Sequence, residues 1–310
     1  MKGHEPTARI SRLRPHQDRW ALILTGGGNR GATQAGAVLA LFESGFVPDL
    51  ILGVSIGAIN GAYLAFYPNV GGAGRLTDLW RYADERRLFG TRFPRLRGLA
   101  AVLLGRPSAY SNDGFEALLT THLPGTRFEE TAIPLAVAAT DLESGAARTL
   151  DAGEIIPAVL ASAAAPAHFP PVIVNGERLI DGSLADPVPF HVAAQRGIRK
   201  AVVIEPGGQC TCRHDYRSAL SVALQSVSIL AHRCQEIEFA AAKDNLEVIH
   251  VRLTCEDELP MSDLSKTDVM IDSGYEEASA MFDAFETLPW APSPASRHQV
   301  TAEPQFGGGG

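Results

Sequence analysis

The sequence is short of cysteine, and what it has comes late: Cys210, Cys212, Cys234 and Cys255 are the 4 cysteines of 310 residues. None stands in the first two thirds, so no disulfide framework can staple the amino-terminal half, and a reducing compartment is the simpler setting. Cys210-Thr-Cys212-Arg-His214 is spaced more tightly than zinc ligands usually are, and no second ligand pair comes after it. It reads as a polar loop, and no metal is expected. An excess of positive charge is also missing. With 27 Lys and Arg against 35 Asp and Glu the net charge is −8, the wrong sign for broad nucleic-acid binding, which needs a basic surface to neutralise phosphate. Long apolar runs are absent as well: no stretch is both charge-free and apolar over the ~20 residues needed to span a bilayer. The arginine-bearing leader, residues 1–19, has no apolar segment ahead of a cleavage site. The expectation is a cytoplasmic protein that meets membranes peripherally if at all.

What is present is ordinary globular material, 45% hydrophobic and 20% charged, enough to bury a core in one large domain or two small ones. Trp20-Ala-Leu-Ile-Leu-Thr25 is a short apolar run ended by glycine, which predicts a buried strand. Residues 32–43 are small and apolar and predict a tightly packed helix. Residues 50–54 predict a second buried strand and 56–66 a second helix. Strand, glycine turn, helix, strand, sharp turn, helix is the grammar of an α/β fold with a parallel sheet. Further strands are predicted over 133–140, 147–150, 200–204 and 248–253, and helices over 155–164, 189–196 and 220–243, the last long and amphipathic. Residues 172–174 and 178–180 flank Asn175-Gly176, a strong hairpin signal. No internal repeat is found.

Between Pro68 and Pro107, glycine, proline and arginine interrupt any steady period. Arg75, Arg81, Arg86, Arg87, Arg92, Arg95, Arg97 and Arg106 face only Asp78, Asp84 and Glu85 as acids, with Trp80, Phe89, Phe93 and residues 99–104 among them. Two readings stay open for 75–106: a lid or surface that lies on anionic lipid, or a helical excursion whose apolar residues close the core. The expected organisation is a leader (1–19), a catalytic domain (20–206) carrying the 68–107 insert, a helical extension (207–290) that completes it, and a flexible tail (291–310).

Three motifs carry chemistry. Gly53-Val-Ser55-Ile-Gly57 is a G-x-S-x-G pentapeptide between a predicted strand and a predicted helix. That context makes Ser55 a candidate nucleophile on a strained elbow, with Gly53 and Gly57 letting strand and helix crowd together. The N–H of Ile56 at the helix start can stabilise an oxyanion. Gly26-Gly27-Gly28-Asn29-Arg30-Gly31 also comes after a strand and opens a helix, and as G-x-G-x-x-G it fits a dinucleotide fingerprint. That alternative wants an acid at the end of the next strand. Asp49 has about the right separation but precedes residues 50–54, and the residue immediately after them is Ser55. The same loop can instead hold a developing oxyanion on N–H groups at a helix N-terminus.

The third motif is Asp181-Gly182-Ser183, after the hairpin. A serine nucleophile needs a base. His191, His232 and His250 come later in the chain, in the Ser, Asp, His order of α/β-hydrolases, but they fall in predicted helices or a predicted strand rather than on short loops. A carboxylate within hydrogen-bond reach of the hydroxyl can act directly, and Asp181 beside Gly182 is placed to try.

In their types and order these motifs resemble those of the patatin-like phospholipases. Ala139-Thr-Asp-Leu-Glu-Ser-Gly145, Ala161-Ser-Ala-Ala-Ala-Pro166 with Phe169-Pro-Pro171, and Leu184-Ala-Asp-Pro-Val-Pro189 extend the resemblance over about residues 20–206. One departure is Ser183, where Gly or Ala is usual; serine is small enough to fit and adds a donor beside the carboxylate. The resemblance implies a three-layer α/β/α sandwich with a mainly parallel central sheet. It also implies hydrolysis of lipid acyl esters through an acyl-serine intermediate, a Ser55–Asp181 dyad, and neither cofactor nor metal. Gly26, Gly27, Gly28, Arg30 and Gly31 would form the oxyanion hole, with Gly27 and Gly28 supplying N–H groups and Arg30 fixing the loop. The implied partner is a lipid or ester substrate; lipid class, acyl position and oligomeric state stay open.

Overall fold

The computed structural model describes residues 18–83, 88–89, 105–207, 219–254 and 263–291. Most of the leader, the tail beyond 291, Arg86, Arg87, Arg92, Phe93, Arg95, Arg97, residues 99–104, Cys210, Cys212, His214 and Cys255 lie outside the described residues.

Among the described residues eight strands form one sheet: β1 (Trp20–Leu24), β2 (Leu50–Val54), β3 (Leu135–Asp141), β4 (Ala147–Leu150), β5 (Val172–Val174), β6 (Glu177–Asp181), β7 (Lys200–Glu205) and β8 (Glu247–Arg252). Their order is β5-β6-β3-β2-β1-β7-β8, with β4 also on β3. From β3 to β8 every pairing along that path is parallel, while β4, β5 and β6 pair antiparallel. The helices are α1 (Gly31–Glu43), α2 (Ile56–Phe66), α3 (Val70–Arg81), α4 (Asp113–His122), α5 (Ile155–Ser162), α6 (Phe190–Gln195), α7 (Ala219–Ala242) and α8 (Thr267–Asp283).

Alternation along fully buried strands makes two cores, one on each face of the sheet. Trp20, Leu22 and Leu24 of β1, Ile51 of β2 and Val202 and Ile204 of β7 share one core with Leu41, Ile59, Leu76 and Phe282 from the helices. Ala21, Ile23, Leu50, Leu52, Ala201 and Val203 share the other with Phe190, Val192 and Ala242. The result is the expected α/β/α sandwich with a mainly parallel central sheet. Each strand and helix singled out in the sequence is present, with ends within two residues of those predicted.

Helix α3 corrects the reading of 68–107 as lacking a steady period. Gly71, Gly72 and Gly74 lower its intrinsic propensity, yet Ala73, Leu76, Thr77 and Trp80 are buried at helical spacing. Asn69 caps it, its Oδ1 accepting the Gly72 N–H at 2.9 Å. Helix α8 buries Ile271, Gly274, Ala278 and Phe282. Its backbone touches α1: a Cβ on Gly36 would come within 2.0 Å of the Ile271 carbonyl oxygen, and one on Gly274 within 2.0 Å of that of Thr33. Only glycine permits that crossing.

Strand register then brings two distant motifs to one edge. Val54, at the end of β2, pairs with Ala138 of β3. The next β3 residue, Ala139, pairs with Asp181 at the end of antiparallel β6. Asp181 therefore sits level with the residue after Val54, which is Ser55.

Candidate active site

Ser55 joins β2 to α2 at φ 56 and ψ −126, a positive φ that is costly for any residue with a Cβ. The turn is tight enough that a Cβ on Gly57 would lie 2.1 Å from the Leu24 carbonyl oxygen, and one on Gly53 would lie 2.6 Å from Ala58 Cα. The Ser55 N–H donates to Ser162 Oγ at 3.0 Å, and Ser162, at the end of α5, is fully buried. Ser162 was not anticipated as part of the site. Its signal in the sequence is faint: the one hydroxyl in an otherwise apolar helix, Ile155–Ser162.

From this elbow Ser55 Oγ donates to Asp181 Oδ2 at 2.6 Å. The other carboxylate oxygen, Oδ1, accepts the Ser183 N–H at 2.9 Å and the Ser183 hydroxyl at 2.6 Å. The backbone of Asp181 is pinned too, its carbonyl accepting from Thr140 Oγ1 at 2.8 Å and its N–H donating to the Ala164 carbonyl at 3.1 Å. Gly182 lies flat on β3, where a Cβ would come within 2.2 Å of the Ala138 carbonyl oxygen. Asp181 is buried and makes no ion pair among the described residues. Burial pushes its pKa above the usual carboxylate value, opposed by the Ser183 and Ser55 hydroxyls and the Ser183 N–H. Such a carboxylate can take the proton of the serine it holds.

The glycine loop runs over Ser55 and Ser183. A Cβ on Gly26 would stand 3.1 Å from Ser55 Cβ and 3.8 Å from Ser183 Cβ, so the loop touches both residues. Gly27 packs on Pro206, Gly28 turns at φ 62, and Gly31 packs on Ile56 and Trp80. Arg30 ties the loop down, Nε donating to the Gly27 carbonyl at 3.1 Å and Nη1 to the Gly207 carbonyl at 3.3 Å. Beneath the loop is a buried polar chain that the sequence reading missed. Trp80 Nε1 donates to Asn60 Oδ1 at 2.9 Å, and Asn60 Nδ2 donates to Gln34 Oε1 and the Gly31 carbonyl, both at 3.0 Å. Gln34 Nε2 then donates to the Thr25 and Ile204 carbonyls at 3.2 and 3.0 Å. All three side chains are buried. Gln34 and Asn60 stand as polar residues within helices of small and apolar ones, the one sign a sequence offers of such a network.

The candidate histidines belong elsewhere. His191 Nδ1 is 3.7 Å from Asp186 Oδ2, His232 Nε2 is 3.6 Å from Glu236, and His250 Nε2 is 2.7 Å from Glu205. Asp49 accepts the Trp20 N–H at 2.9 Å, which puts it at the amino end of β1, across the sheet from the glycine loop. A dinucleotide whose pyrophosphate lay on that loop would have no ribose partner there, so the dinucleotide reading is not favoured. Beside Ser55 opens an apolar cavity of about 40 Å³ lined by Ile56, Ile59, Trp80, Leu88, Phe115 and Phe169. A second cavity of about 40 Å³ continues past Ile59, Trp80 and Phe115 to Leu119 and Leu123.

Within the insert, Phe89 is buried against Tyr110, Phe115 and Phe169. Arg81 reaches Asp78, Asp268 and Asp272, and Arg75 lies 4.9 Å over the Tyr67 ring. Among the described residues no helix is long and apolar enough to cross a membrane, and no three His, Cys, Asp or Glu side chains group as metal ligands.

The family model described as Patatin-like phospholipase matches residues 22–194. Patatin-like phospholipase domain-containing protein 7 of Mus musculus is 25% identical over 311 residues, which cover 90% of this chain and 22% of that protein. Lysophospholipase NTE1 of Cryptococcus neoformans var. neoformans serotype D is 30% identical over 216 residues, 69% of this chain and 13% of its own. The chain thus spans about a fifth or less of the length of these curated relatives. Among solved structures, VipD from Legionella pneumophila superposes with a TM-score of 0.48 at 16% identity, covering 86% of this chain and 67% of its own.

Proposed function

The chain belongs to the patatin-like phospholipase family, and we propose on that footing that it is a lipid acyl hydrolase with Ser55 as nucleophile and Asp181 as base. The observation that carries this reading is the 2.6 Å hydrogen bond from Ser55 Oγ to Asp181 Oδ2, made from a backbone held at φ 56. In acylation Ser55 Oγ attacks the ester carbonyl carbon while its proton passes to Asp181 Oδ2, and the carbonyl π electrons move to oxygen. Collapse of that tetrahedral oxyanion breaks the bond to the alcohol oxygen, which leaves with the proton from Asp181, and the acyl group stays on Ser55. Water then attacks the acyl carbon as Asp181 takes its proton. The second collapse returns that proton to Ser55 Oγ and frees the fatty acid.

The oxyanion is assigned to the N–H groups of Gly27 and Gly28, with that of Ile56 at the start of α2. Gly26 keeps the loop against the serine, Gly31 carries it into α1, and Arg30 fixes it. The substrates proposed are carboxylic esters of phospholipids, lysophospholipids or related lipids. The relatives' names point that way, and the apolar lining beside Ser55 suits a hydrocarbon chain. Contact with anionic membranes through 75–106 belongs to the same proposal and rests on the charge of that segment. Its check is vesicle binding that weakens as salt rises.

The direct test incubates purified protein with phosphatidylcholine and lysophosphatidylcholine and measures fatty-acid release over time. Release that disappears in Ser55→Ala supports the reading. Release that survives Ser55→Ala, or none from any ester offered, contradicts it.

A further inference from the structure

Among the described residues three hydrogen bonds reach the Asp181 carboxylate, and they divide between its oxygens. Oδ2 has the Ser55 hydroxyl; Oδ1 has both the N–H and the hydroxyl of Ser183. The N–H alone would suffice to cap the short 3-10 turn Gly182–Leu184, for which Asp181 is the N-cap. The hydroxyl is additional, and it stands where the resemblance expects a residue without one. We propose that Ser183 is a positioning residue whose hydroxyl keeps Asp181 turned toward Ser55 and ready to accept a proton, above all in the acyl-enzyme.

This role rests on the Ser55–Asp181 reading and on what each bond does during turnover. Once Ser55 Oγ carries an acyl group it has no hydrogen to give, so Oδ2 loses its donor at the stage when Asp181 must activate water. Ser183 is then the hydroxyl that remains on the carboxylate. Donors favour the charged form of a carboxylate, and burial works against it, as the upward displacement of Asp181 reflects. Other charged groups on the surrounding elements turn elsewhere. Asp141 accepts from Ser144 and pairs with Arg148, Asp186 lies beside His191 and Glu238, and Arg30 holds the Gly27 and Gly207 carbonyls. Among the described residues none of them bonds to the Asp181 carboxylate. Fixing Oδ1 with two donors also fixes the carboxylate plane, which leaves Oδ2 facing the elbow.

The test measures pH profiles for acylation burst and deacylation with p-nitrophenyl butyrate, in wild type, Ser183→Ala, Ser183→Gly and Ser183→Thr. A lost hydrogen bond to a charged group corresponds to about one to two pH units. The acid limb of deacylation should therefore move up by that much in the Ala and Gly variants. Below both limbs they should run about ten- to a hundredfold slower, with the alkaline plateau kept. The Thr variant, which retains the hydroxyl, should restore the wild-type limb. An acid limb that stays put in Ser183→Ala, or an equal loss at every pH, overturns the proposal and leaves Ser183 structural. A wild-type protein that never acylates at Ser55 overturns the underlying reading instead, so the two failures are distinct.

Discussion

The two ends of the parallel strands are closed by opposite chemistry. At the amino end, Trp20, Phe46 and Trp290 meet edge to face with centroids 5.1 to 6.1 Å apart, and Phe282 joins them. Asp49 takes the Trp20 N–H, and Lys200 lies 5.5 Å from the Trp20 ring. At the carboxyl end stand a serine at positive φ, a buried carboxylate outside any ion pair among the described residues, and a loop of glycines packed against Ser55 and Ser183. Each feature there costs stability. The fold packs the Trp20–Phe46–Trp290 cluster at the end away from Ser55 and tolerates strain where the proposed reaction needs it. The Trp80–Asn60–Gln34 chain lies under the strained end and holds the loop from beneath.

The contrast can be broken most decisively at the carboxyl end. Ser55→Ala and Asp181→Asn should each lower ester hydrolysis by about ten-thousand-fold without loss of stability. The sign for Asp181 comes from its raised folded-state pKa. The stability this group contributes is whole below its unfolded pKa and is lost as pH rises through the folded one. At neutral pH Asp181→Asn should therefore melt at or above wild type. Thermal melts across pH check this, and a variant that melts well below wild type would erase the distinction between the two ends.

At the amino end Trp290→Ala should do the reverse. It should cost about 3–5 kcal/mol in urea denaturation while the folded fraction keeps its kcat/KM. The buried chain between them should show both effects: Asn60→Leu strands the Trp80 N–H and Gln34 Oε1, for about 1–3 kcal/mol of stability together with a fall in kcat/KM. The smallest effect belongs to Asp49→Asn, about 1 kcal/mol with no change in hydrolysis. Titration with NAD(H) or NADP(H) should show no binding to wild type or variant.

The sequence made the elbow and the glycine loop legible because each is local, a strand, a turn and a helix within one short stretch. The partnership across 126 residues was legible only through the order of motifs and their resemblance to a family. What sets Asp181 level with Ser55 is the register of antiparallel β6 on β3, and no window of sequence displays a register. Helix α3 was hidden because its three glycines speak against a helix while its buried face and cap speak for one. Ser162 and the Trp80–Asn60–Gln34 chain were hidden because their partners are supplied by packing between helices. The place of Asp49 is legible from chain order alone, since an acid before a parallel strand stands at the end opposite the glycine loop.

The most direct test of the Ser55–Asp181 pair is the labelling rate of a fluorophosphonate probe, with the modified peptide identified by mass spectrometry in wild type, Asp181→Asn and Trp290→Ala. Label on Ser55 in wild type, the same rate in folded Trp290→Ala, and a rate lower by about a hundredfold or more in Asp181→Asn is the expected result. Label on another serine, or undiminished labelling of Ser55 in Asp181→Asn, would contradict it.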